Sequence, residues 1–181
     1  EALNIAAVWE LPVLFVIENN GYGLSTPTNE QYRCENLADK GVGYGMESHI
    51  VDGNNLLEVV NLISELKASM VENPRPVLLE FKTFRMRGHE EASGTKYVPQ
   101  ELMDMWAVKD PVENYRNYLK ATAVLSDEDD EAIRAEIKKE IDTDWAKVQE
   151  EPEIVASLEE ELGDVYKPYE FEAFNPSSEV E

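Results

Sequence analysis

Two short apolar runs flanking an amphipathic helix most constrain what this chain can fold into. Residues 13–17 (VLFVI) and 77–84 (VLLEFKTF) each follow a proline, and residues 56–71 between them carry apolar side chains at helical spacing. Continuous apolar runs of this length are typical of strands buried on both faces. Residues 48–51 (SHIV) add a short strand. The strand–helix–strand order predicts an α/β fold with a mostly parallel sheet and flanking helices.

The rest of the chain is predicted to be mainly helical. Apolar spacing predicts further helices over the following ranges: 1–10, 100–107, 111–123, 127–150 and 152–162. The first of these begins without a methionine and without a capping Ser, Thr, Asp or Asn before it. We therefore expect that the chain starts at or inside a helix and that a segment precedes it.

The composition excludes several classes of function. Hydrophobic residues make up 43% of the 181 residues, which is too much for a disordered chain and enough for a core. The formal net charge of −22 argues against nucleic acid or an anionic membrane surface as a partner. No apolar run is long enough to span a bilayer. The single cysteine, Cys34, rules out an internal disulfide and predicts a reducing, cytoplasmic environment.

A glycine-rich turn follows the first apolar run and begins a polar stretch over residues 21–36 that is predicted to be a long irregular loop. Residues 18–23 (ENNGYG) contain the Asn and Gly residues that tolerate the backbone angles of tight turns. The Asn20 amide oxygen and the Tyr22 carbonyl are also hard neutral ligands that suit Mg²⁺. Gly21 and Gly23 would let the backbone turn sharply enough to aim both oxygens at one point. Such a site still needs a carboxylate, so the residues alone leave a plain turn and half of a metal site open.

A second polar loop follows the second apolar strand. Residues 85–99 (RMRGHEEASGTKYVP) place His89 among charged neighbours that include Arg85. Cationic neighbours suit phosphate or carboxylate binding, and an imidazole there can move protons. A surface histidine in a charged loop is the alternative. The other histidine, His49, lies in a strand pattern and is interpreted as structural, and Cys34 is interpreted as an ordinary cysteine.

Both loops, with the strands before them, resemble a known family. Residues 1–26 (EALNIAAVWELPVLFVIENNGYGLST) and 84–89 (FRMRGH) are similar to the α subunit of thiamine-diphosphate-dependent 2-oxo acid dehydrogenases. This family of decarboxylating first components includes pyruvate, branched-chain 2-oxo acid and acetoin dehydrogenases. The resemblance covers about residues 1–119. It implies a thiamine-diphosphate-binding fold, truncated here at the N-terminus and followed by a helical C-terminal region.

The resemblance also implies roles for individual residues. In the family, the Mg²⁺ that grips the diphosphate is held by the aspartate of a Gly-Asp-Gly segment, the second asparagine of the turn and the tyrosine carbonyl. Asn20 and Tyr22 match the last two of these metal ligands, and the Gly-Asp-Gly would lie upstream of residue 1. Gly21 and Arg85 are implied to be cofactor-binding. His89 matches the family's loop histidine, which orders the loop over the cofactor and assists acyl transfer as a catalytic residue.

The implied reaction is oxidative decarboxylation of a 2-oxo acid, followed by acyl transfer to lipoamide. The implied partners are a β subunit or a fused β domain, a lipoyl acyltransferase component, and further copies of the chain in a homo-oligomer. The glutamate that activates the cofactor belongs to the β half in this family, so Glu18 has no such role. Glu90 stands where many α subunits carry a phosphorylated serine, which excludes that regulation here.

The resemblance suggests three parts and leaves two alternatives. Residues 1–125 would be the C-terminal part of a diphosphate-binding α/β domain, 126–162 a helical extension, and 163–181 an extended arm or linker. One alternative is another thiamine diphosphate enzyme, such as a transketolase-like protein, although the RMRGH loop argues against it. The other is a fragment that folds without catalysing, and we expect the isolated chain to be inactive.

Overall fold

The computed structural model describes residues 1–168, which fall into two compact units. The first unit runs from Glu1 to Asp127 and the second begins at Glu128. The first unit contains these elements in chain order: α1 (Ala2–Val8), β1 (Leu14–Asn19), β2 (Tyr22–Gly23), β3 (Thr26–Pro27), β4 (Glu47–Asp52), α2 (Leu56–Glu72), β5 (Val77–Lys82), α3 (Gln100–Ala107) and α4 (Pro111–Ala121). Helix α5 (Asp127–Glu150) and helix α6 (Leu158–Val165) follow.

A three-stranded parallel sheet forms the centre of the first unit. Its strand order is β1–β5–β4, and both neighbours of β5 run parallel to it. Helix α2 makes the connection from β4 to β5, as a crossover between parallel strands requires. The predicted α/β fold with a parallel sheet and flanking helices is therefore confirmed.

The core lies where the central strand meets helix α2. The β5 residues Val77, Leu78 and Leu79 are at most 2% exposed, and Leu66 and Met70 of α2 are 5% exposed. Val77 and Leu79 share a cluster with those two helix residues. A strand with neighbours on both sides and covered faces has the continuous apolar sequence that β5 shows. The same strand, however, carries one charged residue into the core, at Glu80.

Strand β1 differs from its prediction. An apolar run buried on both faces was expected, but no residue of β1 is fully buried, and Val16 is 47% exposed. Exposed Val16 and Glu18 alternate with half-buried neighbours, which is the period of a strand with one open face. Apolar sequence shows which environment a side chain tolerates, whereas burial depends on which elements cover the strand.

The segment predicted as one irregular loop over residues 21–36 is more regular than expected. It contains the antiparallel pair β2–β3, in which Tyr22 faces Pro27 and Gly23 faces Thr26. A 3₁₀ turn at Thr28–Glu30 and a 3₁₀ helix at Leu37–Tyr44 follow. The hairpin matters for the site because it fixes the direction in which the backbone of Tyr22 points.

The helices after the sheet follow their predictions, with differences at the ends. Helices α3 and α5 have the predicted bounds, while α4 ends at Ala121 instead of residue 123. A helix was expected over 152–162, but α6 begins at Leu158, because the hydroxyl of Ser157 caps it by accepting from the Glu160 backbone N–H at 3.1 Å. Residues 163–165 are therefore helical and not part of an extended arm, and residues 169–181 lie outside the described part. No helix among the described residues is long and apolar enough to cross a membrane.

Candidate functional site

Both polar loops begin at the same edge of the sheet. Strands β1 and β5 are parallel neighbours, and their last residues, Asn19 and Lys82, face each other in register. The Thr83 backbone N–H donates to the Asn19 carbonyl at 3.0 Å, so the pairing continues to the point where the loops leave the sheet. The carboxyl edge of a parallel sheet is where α/β proteins hold ligands. The structure thus places the two predicted loops side by side.

Arg85 joins the second loop to the first. Its Nη2 donates to the Leu24 carbonyl at 2.5 Å and to the Tyr97 hydroxyl at 3.1 Å, and its Nη1 lies 3.4 Å from His89 Nδ1. Three partners, one in the first loop and two in its own loop, suit the planar fork of a guanidinium. Arg85 therefore acts in this structure as a bridge between the loops, and His89 is an exposed side chain joined to that bridge.

An aromatic cluster supports the same junction. The Tyr22 ring lies edge-on to Phe84, with centroids 6.2 Å apart, and edge-on to Tyr97, with centroids 5.7 Å apart. Phe84 stacks on Trp106 of α3 at 5.5 Å. Edge-on and offset-stacked rings are the favoured arrangements of aromatic pairs. Trp106 also lines a cleft of about 250 Å³ beside the turn, together with Gly21 and Phe84.

The turn after β1 is held by its own two asparagine side chains. Asn19 Oδ1 accepts from the Gly21 backbone N–H at 3.3 Å, and Asn20 Oδ1 accepts from the Tyr22 backbone N–H at 3.1 Å. Gly21 has a φ of 82°, in the left-handed region that favours glycine. Gly23, which was expected to share this role, has no such φ; its neighbour Leu24 adopts a φ of 54° instead.

The backbone oxygen of Tyr22 is free of the hairpin ladder. Tyr22 faces Pro27, which has no N–H to donate, while Thr28 N–H donates to the Gly21 carbonyl at 3.0 Å. This pattern makes Tyr22 and Pro27 a non-hydrogen-bonded pair, in which the N–H and C=O of each residue point away from the partner strand. The Tyr22 carbonyl therefore lies on the same edge as its N–H, to which Asn20 Oδ1 is bonded.

Two hard, neutral oxygens thus share one edge of the hairpin, those of the Asn20 side chain and the Tyr22 backbone. Amide and carbonyl oxygens are suitable ligands for Mg²⁺, which takes few protein ligands and completes its octahedron with water and phosphate oxygens. Among residues 1–168, no group of three or more His, Cys, Asp or Glu side chains is placed to hold a metal ion. The donor set of this turn fits a shared metal–phosphate site and does not fit an all-protein metal cage.

A buried carboxylate that the sequence prediction missed lies directly behind the turn. Glu80 of β5 is 0% exposed. Its Oε1 accepts from Asn19 Nδ2 at 2.6 Å and from Lys82 Nζ at 2.5 Å, and its Oε2 accepts from the Ala38 backbone N–H at 2.8 Å. The signal was present in the sequence as one Glu inside the apolar run VLLEF, because a charge in a buried strand requires partners.

Burial and hydrogen bonding act on the Glu80 carboxyl in opposite directions. Desolvation is the largest single influence and raises its pKa, because burial disfavours the charged form. The hydrogen bonds from Lys82, Asn19 and Ala38, together with the charge of Lys82, outweigh desolvation and hold the pKa of Glu80 below its ordinary value. Glu80 is therefore an ionised acceptor at neutral pH.

The other histidine, His49, lies outside this junction, on strand β4. His49 Nε2 is 2.7 Å from Glu47 Oε1, and Arg75 Nε donates to Glu47 Oε2 at 2.6 Å. The hydrogen bond from Arg75, with the one from His49, lowers the pKa of Glu47. These contacts tie β4 to the end of α2, in keeping with a structural His49. Cys34 is a free, half-buried cysteine.

The sequence matches the family model described as dehydrogenase E1 component over residues 1–157. The chain belongs to the dehydrogenase E1 component family. The resemblance to α subunits noted from the two loops is thereby confirmed. Within this E1 chain, the match spans the sheet, both polar loops and helices α1 to α5.

Named relatives of this E1 chain are α subunits. It is 35% identical over 168 residues to 2-oxoisovalerate dehydrogenase subunit alpha 2, mitochondrial, of Arabidopsis thaliana, covering 91% of this chain and 35% of the plant protein. It is 37% identical to 2-oxoisovalerate dehydrogenase subunit alpha of Bacillus subtilis over 76% of this chain and 42% of the relative. A 3-methyl-2-oxobutanoate dehydrogenase subunit alpha of Mycobacterium tuberculosis is also 37% identical, over 76% of this chain and 38% of the relative. The E1 chain thus spans well under half the length of these relatives.

Proposed function

We propose that this chain is part of an E1 α subunit that decarboxylates a branched-chain 2-oxo acid and passes the acyl group to lipoamide. Enzymes of the E1 family depend on thiamine diphosphate. The named relatives act on 2-oxoisovalerate or 3-methyl-2-oxobutanoate, which supports a branched-chain substrate. The observation that carries the proposal is the shared edge on which the Asn20 side-chain oxygen and the Tyr22 carbonyl lie.

The turn would hold the metal end of the cofactor. Asn20 Oδ1 and the Tyr22 carbonyl would bind Mg²⁺, and Gly21 would let the backbone bring the two oxygens to one side. Thiamine diphosphate, when bound, supplies the carbanion chemistry of the decarboxylation. The protein's own contribution is to fix the diphosphate end, so that the reacting end is presented in one orientation.

The second loop would close the site. Arg85 holds the loop against Leu24 of the turn and so orders it over the bound cofactor. His89 is exposed, beside the cationic guanidinium of Arg85, and can give or take a proton at its imidazole during acyl transfer. Glu90 replaces the serine of many α subunits, so this loop would work without phosphorylation at that position.

The whole enzyme would need parts beyond this chain. The neutral donor pair supplies no carboxylate to the metal, which supports a further ligand from elsewhere, and a β subunit or fused β domain would complete the cofactor site. A lipoyl acyltransferase component would accept the acyl group. We also propose that copies of this chain assemble into a homo-oligomer. The free cysteine supports a reducing, cytoplasmic location. The isolated chain is then expected to be inactive and to bind the cofactor poorly.

Substrate oxidation by the full-length protein, assembled with its β partner, tests this proposal. The assay supplies thiamine diphosphate, Mg²⁺ and an artificial electron acceptor, and compares 2-oxoisovalerate with pyruvate. We expect activity that requires both cofactor and metal, with a higher kcat/KM for 2-oxoisovalerate. Equal or better use of pyruvate would contradict the substrate class, and no decarboxylation of either acid would contradict the function.

A further inference from the structure

We propose that Glu80 is a positioning residue for the metal site: its buried carboxylate holds the Asn19 amide and thereby the turn that presents the Asn20 and Tyr22 oxygens. The inference rests on the proposed function, because it assumes that these two oxygens bind Mg²⁺. Glu80 itself belongs to the neighbouring strand and makes its contacts behind the turn, with Asn19, Ala38 and Lys82.

The register of the sheet brings Glu80 to Asn19. Glu80 of β5 faces Ile17 of β1, and Asn19 lies two residues further along the same strand. Side chains two apart on a strand share a face, so Asn19 is the diagonal neighbour of Glu80 on that face. The 2.6 Å contact between Asn19 Nδ2 and Glu80 Oε1 is the result.

An ionised carboxylate determines which way the Asn19 amide is turned. A carboxylate only accepts hydrogen bonds, so it requires the Asn19 nitrogen to face it. Asn19 Nδ2 also donates to the Tyr32 hydroxyl at 3.1 Å, which leaves Oδ1 to accept from the Gly21 N–H. With the amide reversed, an oxygen would face the carboxylate and the nitrogen would face the Gly21 N–H. Glu80 thus sets the hydrogen bond that begins the turn.

The burial of this charge is costly and needs a reason. A fully buried carboxylate is tolerated only when it is paired and hydrogen-bonded, and an apolar side chain of similar size is often at least as stabilising. The cation that pairs with Glu80 is Lys82, whose side chain is 36% exposed. The other two donors belong to two different segments. Asn19, which donates through Nδ2, ends strand β1, and Ala38, which donates through its backbone N–H, lies in the 3₁₀ helix that precedes strand β4. Fixing those segments is the gain that an apolar residue could not provide.

The substitution Glu80→Gln isolates this role, because it keeps the shape and removes one acceptor. Three donors face the carboxylate, and a glutamine amide offers one acceptor oxygen and one donor nitrogen. At least one donor must then face the glutamine nitrogen, and Asn19 loses a charged acceptor, whose hydrogen bonds are roughly twice as strong as those of a neutral one. Glu47→Gln is the matched control, since Glu47 is also a strand glutamate with two partners, on the far strand β4.

The experiment measures Mg²⁺ binding to the full-length protein assembled with its β partner, in the presence of thiamine diphosphate. Calorimetry gives the dissociation constant, and the melting temperature of the apoprotein is recorded for each variant. Substitution of residues that orient metal ligands typically weakens metal binding by about 10- to 100-fold. We expect that range for Glu80→Gln, and unchanged Mg²⁺ affinity for Glu47→Gln even where its melting temperature falls.

Two further variants make the result decisive. Asn19→Ala should weaken Mg²⁺ binding similarly, and the double variant should lose no more than either single one, because both act through one contact. Additive losses would contradict a pathway through Asn19.

If Glu80→Gln does not fold, Asn19→Ala alone tests the turn, and unchanged Mg²⁺ affinity in that variant overturns the inference. If Asn20→Ala weakens binding and Glu80→Gln does not, only this inference fails; if Asn20→Ala leaves binding unchanged, the proposed metal site itself fails.

Discussion

Arg85 Nη2 donates a 2.5 Å hydrogen bond to the carbonyl of Leu24, and this contact joins the two polar loops of the chain. The two residues are 61 positions apart in sequence and belong to loops that leave adjacent parallel strands. The contact explains how the proposed metal-binding turn and the histidine-bearing loop can act as one site.

Replacing Arg85 with Ala is expected to loosen the second loop and weaken cofactor binding. Hydrogen bonds from a charged donor each contribute about 1.5–3 kcal/mol, so the loss corresponds to roughly tenfold or more in affinity. The measurement is the thiamine diphosphate concentration that gives half-maximal activity of the assembled enzyme.

The substitution Arg85→Lys tests whether Arg85 is needed for its bridging hydrogen bonds or only for its positive charge. Lysine keeps the positive charge but lacks the planar fork that reaches Leu24, Tyr97 and His89 at once. We expect Arg85→Lys to resemble Arg85→Ala. Full affinity in the lysine variant would show that charge alone is needed, in contradiction to the bridging role.

Replacing His89 with Ala is expected to leave cofactor binding largely intact and to slow acyl transfer. The loss of a group that moves a proton typically lowers a rate by about 10²- to 10⁴-fold. Transfer to a lipoyl acceptor is compared with oxidation by an artificial acceptor, which bypasses that transfer. His49→Ala is the control, because His49 belongs to the cluster with Glu47 and should affect only stability. Unimpaired lipoyl transfer in the His89 variant would refute the catalytic role.

The stability of the first unit should decline in acid through Glu80. Folding lowers the pKa of this carboxyl below its ordinary value of 4.5. The ionised form is therefore favoured in the folded state, and its stabilisation is fully present above 4.5 and is lost as the pH falls through the folded-state pKa. Glu47 contributes with the same sign, mainly through its hydrogen bond from Arg75.

Urea unfolding at neutral pH and at several values below 4.5 checks this expectation. The unmodified protein should lose stability steeply over the acid range, and Glu80→Gln should be less stable at neutral pH but flatter in acid, because it has no proton to bind. Parallel pH profiles for the two proteins would show that Glu80 does not carry this dependence.

The sequence was sufficient for the parts of the fold that depend on local pattern. Apolar runs and helical spacing located the sheet strands and α2, and both polar loops were correctly placed after strands. The open face of β1 was not predictable, because the exposure of Val16 depends on which elements cover the strand.

The relations within the site that were missed all depend on register. Glu80 meets Asn19 only because β1 and β5 pair with Ile17 opposite Glu80. The direction of the Tyr22 carbonyl depends on its facing Pro27 in a hairpin that was expected to be an irregular loop. Neither spacing nor composition contains that information, although the isolated charge in VLLEF was a sign that a partner must exist.

The Mg²⁺ affinity of Asn20→Ala tests the central claim most directly. In the full-length protein assembled with its β partner, the loss of a ligand oxygen should weaken Mg²⁺ binding at least as much as the loss of an outer partner, by about 10- to 100-fold. Asn20→Asp keeps an oxygen at that position and should retain binding. This account predicts weak binding for alanine and its recovery for aspartate; equal Mg²⁺ affinity in Asn20→Ala and the unmodified protein would contradict the assignment of this turn as a metal site.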